Sequence, residues 1–78
     1  MNVTRLQGIL AQIRPEFDFS TSGDFIADGM LDSFDIVWLV SALDKQFGIC
    51  IDGREIVPQN FCNLEAIAEL LKKHGVTL

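Results

Sequence analysis

The sequence predicts an all-α fold: three main helices and one short one, forming a four-helix bundle with a long loop between helices one and two. Apolar residues recur at helical spacing in three separate segments. Cap residues bracket those segments. Between the first two segments no period is sustained, as a loop requires. A chain of 78 residues is read as a single domain, residues 1–78. It has room for one modest core, burying roughly 60% of the surface that the unfolded chain exposes and contributing on the order of 3–5 kcal/mol. With 49% of its residues hydrophobic and 22% charged, the chain is too apolar to be disordered and is expected to fold.

In the first segment Leu6, Ile9, Leu10 and Ile13 share a helical face, with Thr4 and Gln7 in capping-box positions and Arg14-Pro15 ending the pattern. Gly8 weakens this helix slightly. From Glu16 to Asp32 the chain carries Ser20, Thr21, Ser22, Gly23 and Gly29 among scattered Phe17, Phe19, Phe25, Ile26 and Leu31. That composition describes a loop pinned to the core by its aromatics, and loops this long in small domains are often functional. The second helix is expected from Ser33 to Phe47. Asp32 caps it, Asp35 stands in capping-box position, and Gly48 serves as C-cap. Ile36, Leu39, Val40, Leu43 and Phe47 make its core stripe, while Phe34, Val37, Trp38 and Ser41 leave a fairly apolar second face outside. Ile49-Cys50-Ile51 reads as a short extended piece closed by the turn pair Asp52-Gly53. Glu55-Ile56-Val57 is expected to form one helical turn before Pro58, with Phe61 anchoring the loop. The last helix starts at the cap Asn63 and buries Leu64, Ile67, Ala68 and Leu71. It ends in Lys72, Lys73 and His74 before Gly75, as the helix dipole favours.

Composition narrows the function classes. The longest apolar run, Ile36 to Val40, is far short of the ~20 residues a membrane span requires. The N-terminus has no signal-peptide pattern, so a soluble, cytoplasmic protein with no membrane insertion is expected. Cys50 and Cys62 are too few for a disulfide framework or a four-ligand zinc site, and read as reduced, partly buried small apolar side chains. A net charge of -5 argues against binding nucleic acid. Between Pro15 and Leu43 there is no basic residue, while Glu16, Asp18, Asp24, Asp28, Asp32 and Asp35 all fall there. Such a stretch either steers basic partners to one end of the molecule or simply keeps a loop solvated.

Ser33, between two aspartates, invites a catalytic reading, but the set is incomplete. The only histidine, His74, lies near the C-terminus, no Gly-x-Ser-x-Gly surrounds Ser33, and no enzyme activity is expected. His74 reads as a solvent-exposed last-turn residue. Asp24, Asp28, Asp32 and Asp35 do not match the ligand spacing of a calcium loop, and no metal site is expected. As the first helical residue beyond a capped turn, Ser33 is expected to expose its hydroxyl and to owe the helix nothing. That makes it a poor catalyst and a good attachment point, because helix-terminus amides tolerate an attached phosphate. An Asp-Ser pair at a helix start is, on its own, more often merely a cap.

Gly29-Met30-Leu31-Asp32-Ser33-Phe34-Asp35 resembles the Gly-x-x-Asp-Ser-(Leu/Phe) attachment motif of acyl and peptidyl carrier proteins. The resemblance extends over almost the whole chain, through helix order, acidic loop and the Phe47-Gly48-Ile49 ending of helix two. It implies an acyl-carrier-like four-helix bundle whose Ser33 carries a covalent 4'-phosphopantetheine added from coenzyme A by a phosphopantetheinyl transferase. Asp32 would assist the attachment, through a metal in the transferase's site. The arm's thiol would hold an acyl or aminoacyl group as a thioester and deliver it between partner enzymes such as an adenylate-forming ligase, an acyltransferase or a synthase. Helix two would be the surface that partners read, with Phe34, Val37, Trp38 and Asp35 as recognition residues on a monomeric carrier. Fatty-acid carriers are rich in acids on that face, whereas here Trp38 and Lys45 occupy it with Asp35 and Asp44 as the acids. This departure points to a specialised carrier, such as those that resemble D-alanyl carrier proteins. The alternative from another class is a cofactor-free helical interaction module that binds through Phe34, Val37 and Trp38.

Overall fold

The computed structural model describes residues 4–19 and 23–77, and among these every regular element is helical. Ser20, Thr21 and Ser22 of the expected loop lie outside the described residues, as do Met1, Asn2 and Val3. The helices are α1 (Thr4–Ile13), α2 (Ser33–Phe47), α3 (Pro58–Phe61) and α4 (Leu64–Lys73), with a 3-10 turn at Gly53–Glu55. The small all-α bundle expected from the apolar periodicity is therefore present. α1 packs on α2 and α3 on α4, within extents of 29 × 25 × 19 Å.

One core serves all four helices. Leu6 and Leu10 of α1, Leu39 and Leu43 of α2, Phe61 of α3, and Ile67 and Leu71 of α4 are almost completely shielded from water. Phe25, from the loop, is buried as deeply as any of them. Each such side chain contributes about 1.5–3 kcal/mol relative to exposure, which lets a short chain offset the entropy of ordering a long loop. Phe25 meets Phe19 edge-to-face at 5.0 Å, and Phe19 meets Phe17 at 6.3 Å. The Phe25 amide donates to the Cys62 carbonyl, and the Phe25 carbonyl accepts from the amides of Met30 and Leu31. The loop is thus a folded connection rather than a slack one. Asp24 starts its turn by accepting from the amides of Ile26 and Ala27, and Gly29 closes it at φ 72, a left-handed angle that side chains resist.

Several details differ from the expectation. Thr4 opens the described part of α1. Its first turn is also held by burial of Leu6 and by Arg5, whose guanidinium lies 4.4 Å over the Phe47 ring. The single turn expected at Glu55-Ile56-Val57 is replaced by two short pieces, one ending at Glu55 and the other beginning at Pro58. Asp52 caps the 3-10 turn through the Arg54 amide, and Pro58 begins α3 instead of halting a helix. Proline suits a first helical position, where its missing N–H would have no partner anyway. In α4 Leu70 joins the buried set, while Leu64 is only half-buried. Cys50 is exposed and Cys62 is half-buried. His74 is not a free surface residue: its Nε2 lies 2.9 Å from Glu55 Oε2, tying the end of α4 to the 3-10 turn.

Candidate functional site

The start of α2 is set by a reciprocal cap. Asp32 Oδ1 accepts from the Asp35 amide at 2.9 Å, and Asp35 Oδ2 accepts from the Asp32 amide at 3.1 Å. Two of the first free donors of the helix are satisfied this way. Arg14, the residue just past the end of α1, points here. Its Nε donates to the same Asp35 Oδ2 at 2.9 Å. Its terminal nitrogens lie 3.6 Å from Asp32 Oδ2 and 3.5 Å from Glu16 Oε2. One guanidinium therefore gathers three carboxylates, and the Asp35 side chain is only 10% exposed. The Asp35 amide, together with the nearby Arg14, holds the Asp32 carboxyl below its usual range against partial desolvation.

Between the two capping aspartates stands Ser33, exposed, with no side-chain hydrogen bond among the described residues. Phe34, Val37 and Trp38 follow it along the outside of α2, 81%, 59% and 69% exposed. Their spacing of three and four residues makes them neighbours on one helical surface. Beside Trp38, an open groove of about 610 Å³ runs between α1 and α2, with Ile9, Ile13 and Ala42 among its apolar lining and Asp35 and Lys45 both among its polar lining.

The structure thus brings Asp32, Ser33, Phe34, Val37 and Trp38 together on the surface, at and beyond the start of α2. It withdraws Asp35, expected among the recognition residues, into the ion pair with Arg14. The reason is angular: a residue two positions after Ser33 turns toward α1, not outward. Arg14 is the component that sequence reading missed. Its signal was its place as the last basic residue before a long acidic stretch. The negative field expected at this end is accordingly reduced, with Glu16, Asp32 and Asp35 drawn around one cation. Of the aspartates weighed as calcium ligands, Asp24, Asp32 and Asp35 accept from backbone amides, and no cluster able to hold a metal ion occurs among the described residues. No described helix is long and apolar enough to cross a membrane.

The chain matches no protein-family model, no curated protein and no solved structure. What can be said of function comes from the chemistry of the site.

Proposed function

We propose that this chain is a carrier protein, with Ser33 the attachment point of a 4'-phosphopantetheine arm. The observation that supports this most directly is an exposed hydroxyl with no structural duty, held in place by a fully formed helix cap. A nucleophile working in this chain would need a base beside it, and no contact of Ser33 with a histidine, lysine or other base is found among the described residues. An acceptor modified by a separate enzyme needs only exposure and a fixed position.

The residues fit such a group. Two carboxylates beside Ser33 would repel an attached phosphate, but Arg14 sets a cation among them. In the attachment, Ser33 Oγ forms a bond to the phosphorus that bears the pantetheine of coenzyme A. The bond from that phosphorus to 3',5'-adenosine diphosphate breaks, and the hydroxyl proton passes to a base of the phosphopantetheinyl transferase. Once attached, the arm supplies a thiol that holds an acyl or aminoacyl group as a thioester. The chain's own part is to present Ser33, to keep Asp32 ionised beside it, and to offer the outer face of α2 to the transferase and to loading and accepting enzymes.

Incubation with coenzyme A and a broad-specificity phosphopantetheinyl transferase should raise the intact mass by one phosphopantetheine, and Ser33→Ala should abolish the increase. A folded wild type that gains no mass would refute the proposal. The exposure of Phe34 and Trp38 also favours a second reading, an interaction module without a cofactor. In that case Ser33→Ala leaves function in the host intact while Trp38→Ala removes it.

A further inference from the structure

The guanidinium at the start of α2 is held firmly by one nitrogen and loosely by the other two. Arg14 Nε donates to Asp35 Oδ2 at 2.9 Å, against a side chain only 10% exposed. Nη2 lies 3.6 Å from Asp32 Oδ2, and Nη1 lies 3.5 Å from Glu16 Oε2. Those separations leave attraction between charges but exceed the span of about 2.7–3.2 Å of a hydrogen bond, and both carboxylates are more than half exposed. The terminal N–H donors of Arg14 therefore have no well-bonded acceptor among the described residues, while the group is fixed from behind. The first amides of α2, which would otherwise suit an anion, are already turned to Asp32: the Asp35 amide donates to its Oδ1 at 2.9 Å, and the Phe34 amide faces the same carboxylate. The other cations are placed elsewhere. Lys45 is in the last turn of α2, about 18 Å along the axis from Ser33. Arg5 is engaged with the Phe47 ring and the Gln46 carbonyl at that same far end, Arg54 is bonded to Asp52, and Lys72 and Lys73 close α4.

Resting on the carrier reading of Ser33, we propose that Arg14 is the ligand of the phosphate at the root of the arm: on attachment its terminal nitrogens leave Asp32 for the phosphate oxygens, while Nε stays on Asp35. A guanidinium is suited to this exchange, because its planar fork meets two oxygens of one phosphate side by side. Asp32 keeps its place without Arg14, since its other oxygen, Oδ1, still accepts from the Asp35 amide. Attachment thus adds a negative charge to a site that already gathers three carboxylates, and the cation held among them takes it up. The root of the arm is tied through one side chain to the end of α1, whereas the thiol end is left free to move.

The probe is the full chain made by chemical ligation with a phosphate on Ser33, which needs no transferase, its protonation followed by phosphorus NMR. A phosphoserine takes up its second proton at about pH 6. A cation beside it lowers that pH, and the carboxylates of Glu16, Asp32 and Asp35 raise it. The transition should fall lower in this chain than in its Arg14→Gln variant, by about half a pH unit. Arg14→Lys, which keeps the charge but not the fork, should lie between the two. Equal transitions in the chain and in Arg14→Gln, both helical by far-ultraviolet circular dichroism, overturn the proposal. Should Arg14→Gln fail to fold, the chain itself decides: its transition should lie lower when folded than in urea, and one equal or higher when folded overturns the proposal. With the whole arm attached by the transferase, the change in Tm on attachment should be more favourable in wild type than in Arg14→Gln by about 2–5 °C, and an equal change in both overturns it too. A chain that takes no arm refutes the carrier reading and leaves the phosphoserine result standing, whereas an unmoved transition refutes the role of Arg14 and leaves attachment at Ser33 standing.

Discussion

Replacing Asp35 with alanine should destabilise this protein far more than any other single change on the surface of α2. Its carboxylate is nearly buried and accepts two hydrogen bonds through one oxygen, from the Asp32 amide at 3.1 Å and from the α1 end at 2.9 Å. A bond from a neutral amide contributes about 0.5–1.5 kcal/mol and a charge-assisted one about 1.5–3, less where one partner is partly solvated. The expected loss is about 2–3 kcal/mol, a large share of what a core of this size supplies. In urea, with a slope near 1 kcal/mol/M for so small a domain, the midpoint should fall by roughly 2–3 M. Asp35→Asn keeps an acceptor for the Asp32 amide but loses the ion pair, and should fall between alanine and wild type. A loss below about 0.5 kcal/mol for Asp35→Ala, the range of an ordinary surface change, would mean that the ion pair does not join α1 to α2 in solution.

Gly29 sits at φ 72, and a Cβ added there meets nothing within 4 Å, so Gly29→Ala should cost only backbone strain, about 1 kcal/mol, read as a drop of about 4–8 °C in Tm. If it blocks Ser33 modification at unchanged Tm, the glycine is read by the transferase rather than required by the turn. The carboxyls of Asp32, Asp52 and Glu55 are held below their usual range, chiefly by the Asp35 amide, the Arg54 guanidinium and the Asp52 amide respectively. Their ionised forms favour the fold, so this contribution is complete above about pH 5 and is lost as pH falls through the lowered values. Thermal melts from pH 6 to 3 should show Tm falling, with a shallower fall in Asp52→Asn; a flat or rising Tm would contradict the cap geometry.

Much of the fold was legible because its signals are local. The boundaries of α2 follow from Asp32, Asp35 and Gly48, residues whose short-range hydrogen bonds and backbone preferences act within a turn of the chain. The position of Ser33 follows from the same cap. The interval from Asp52 to Phe61 was harder, because two short turns separated by two residues leave no periodicity to read, and Pro58 is compatible with ending a helix or beginning one. The pairing of His74 with Glu55 had no signal in the sequence at all, since the two are brought together only when α4 packs beside the 3-10 turn.

By itself, then, the sequence determined the three main helices, the loop with its aromatic pins, and an exposed serine at a capped helix start. Only the tertiary structure decided the electrostatics of that start. Spacing can place Arg14, Asp32 and Asp35 on their own elements, but attraction falls off with distance through space, not along the chain. Packing α1 on α2 delivers Arg14 to Asp35, buries that acid, and leaves Trp38 and Lys45 exposed beside the groove.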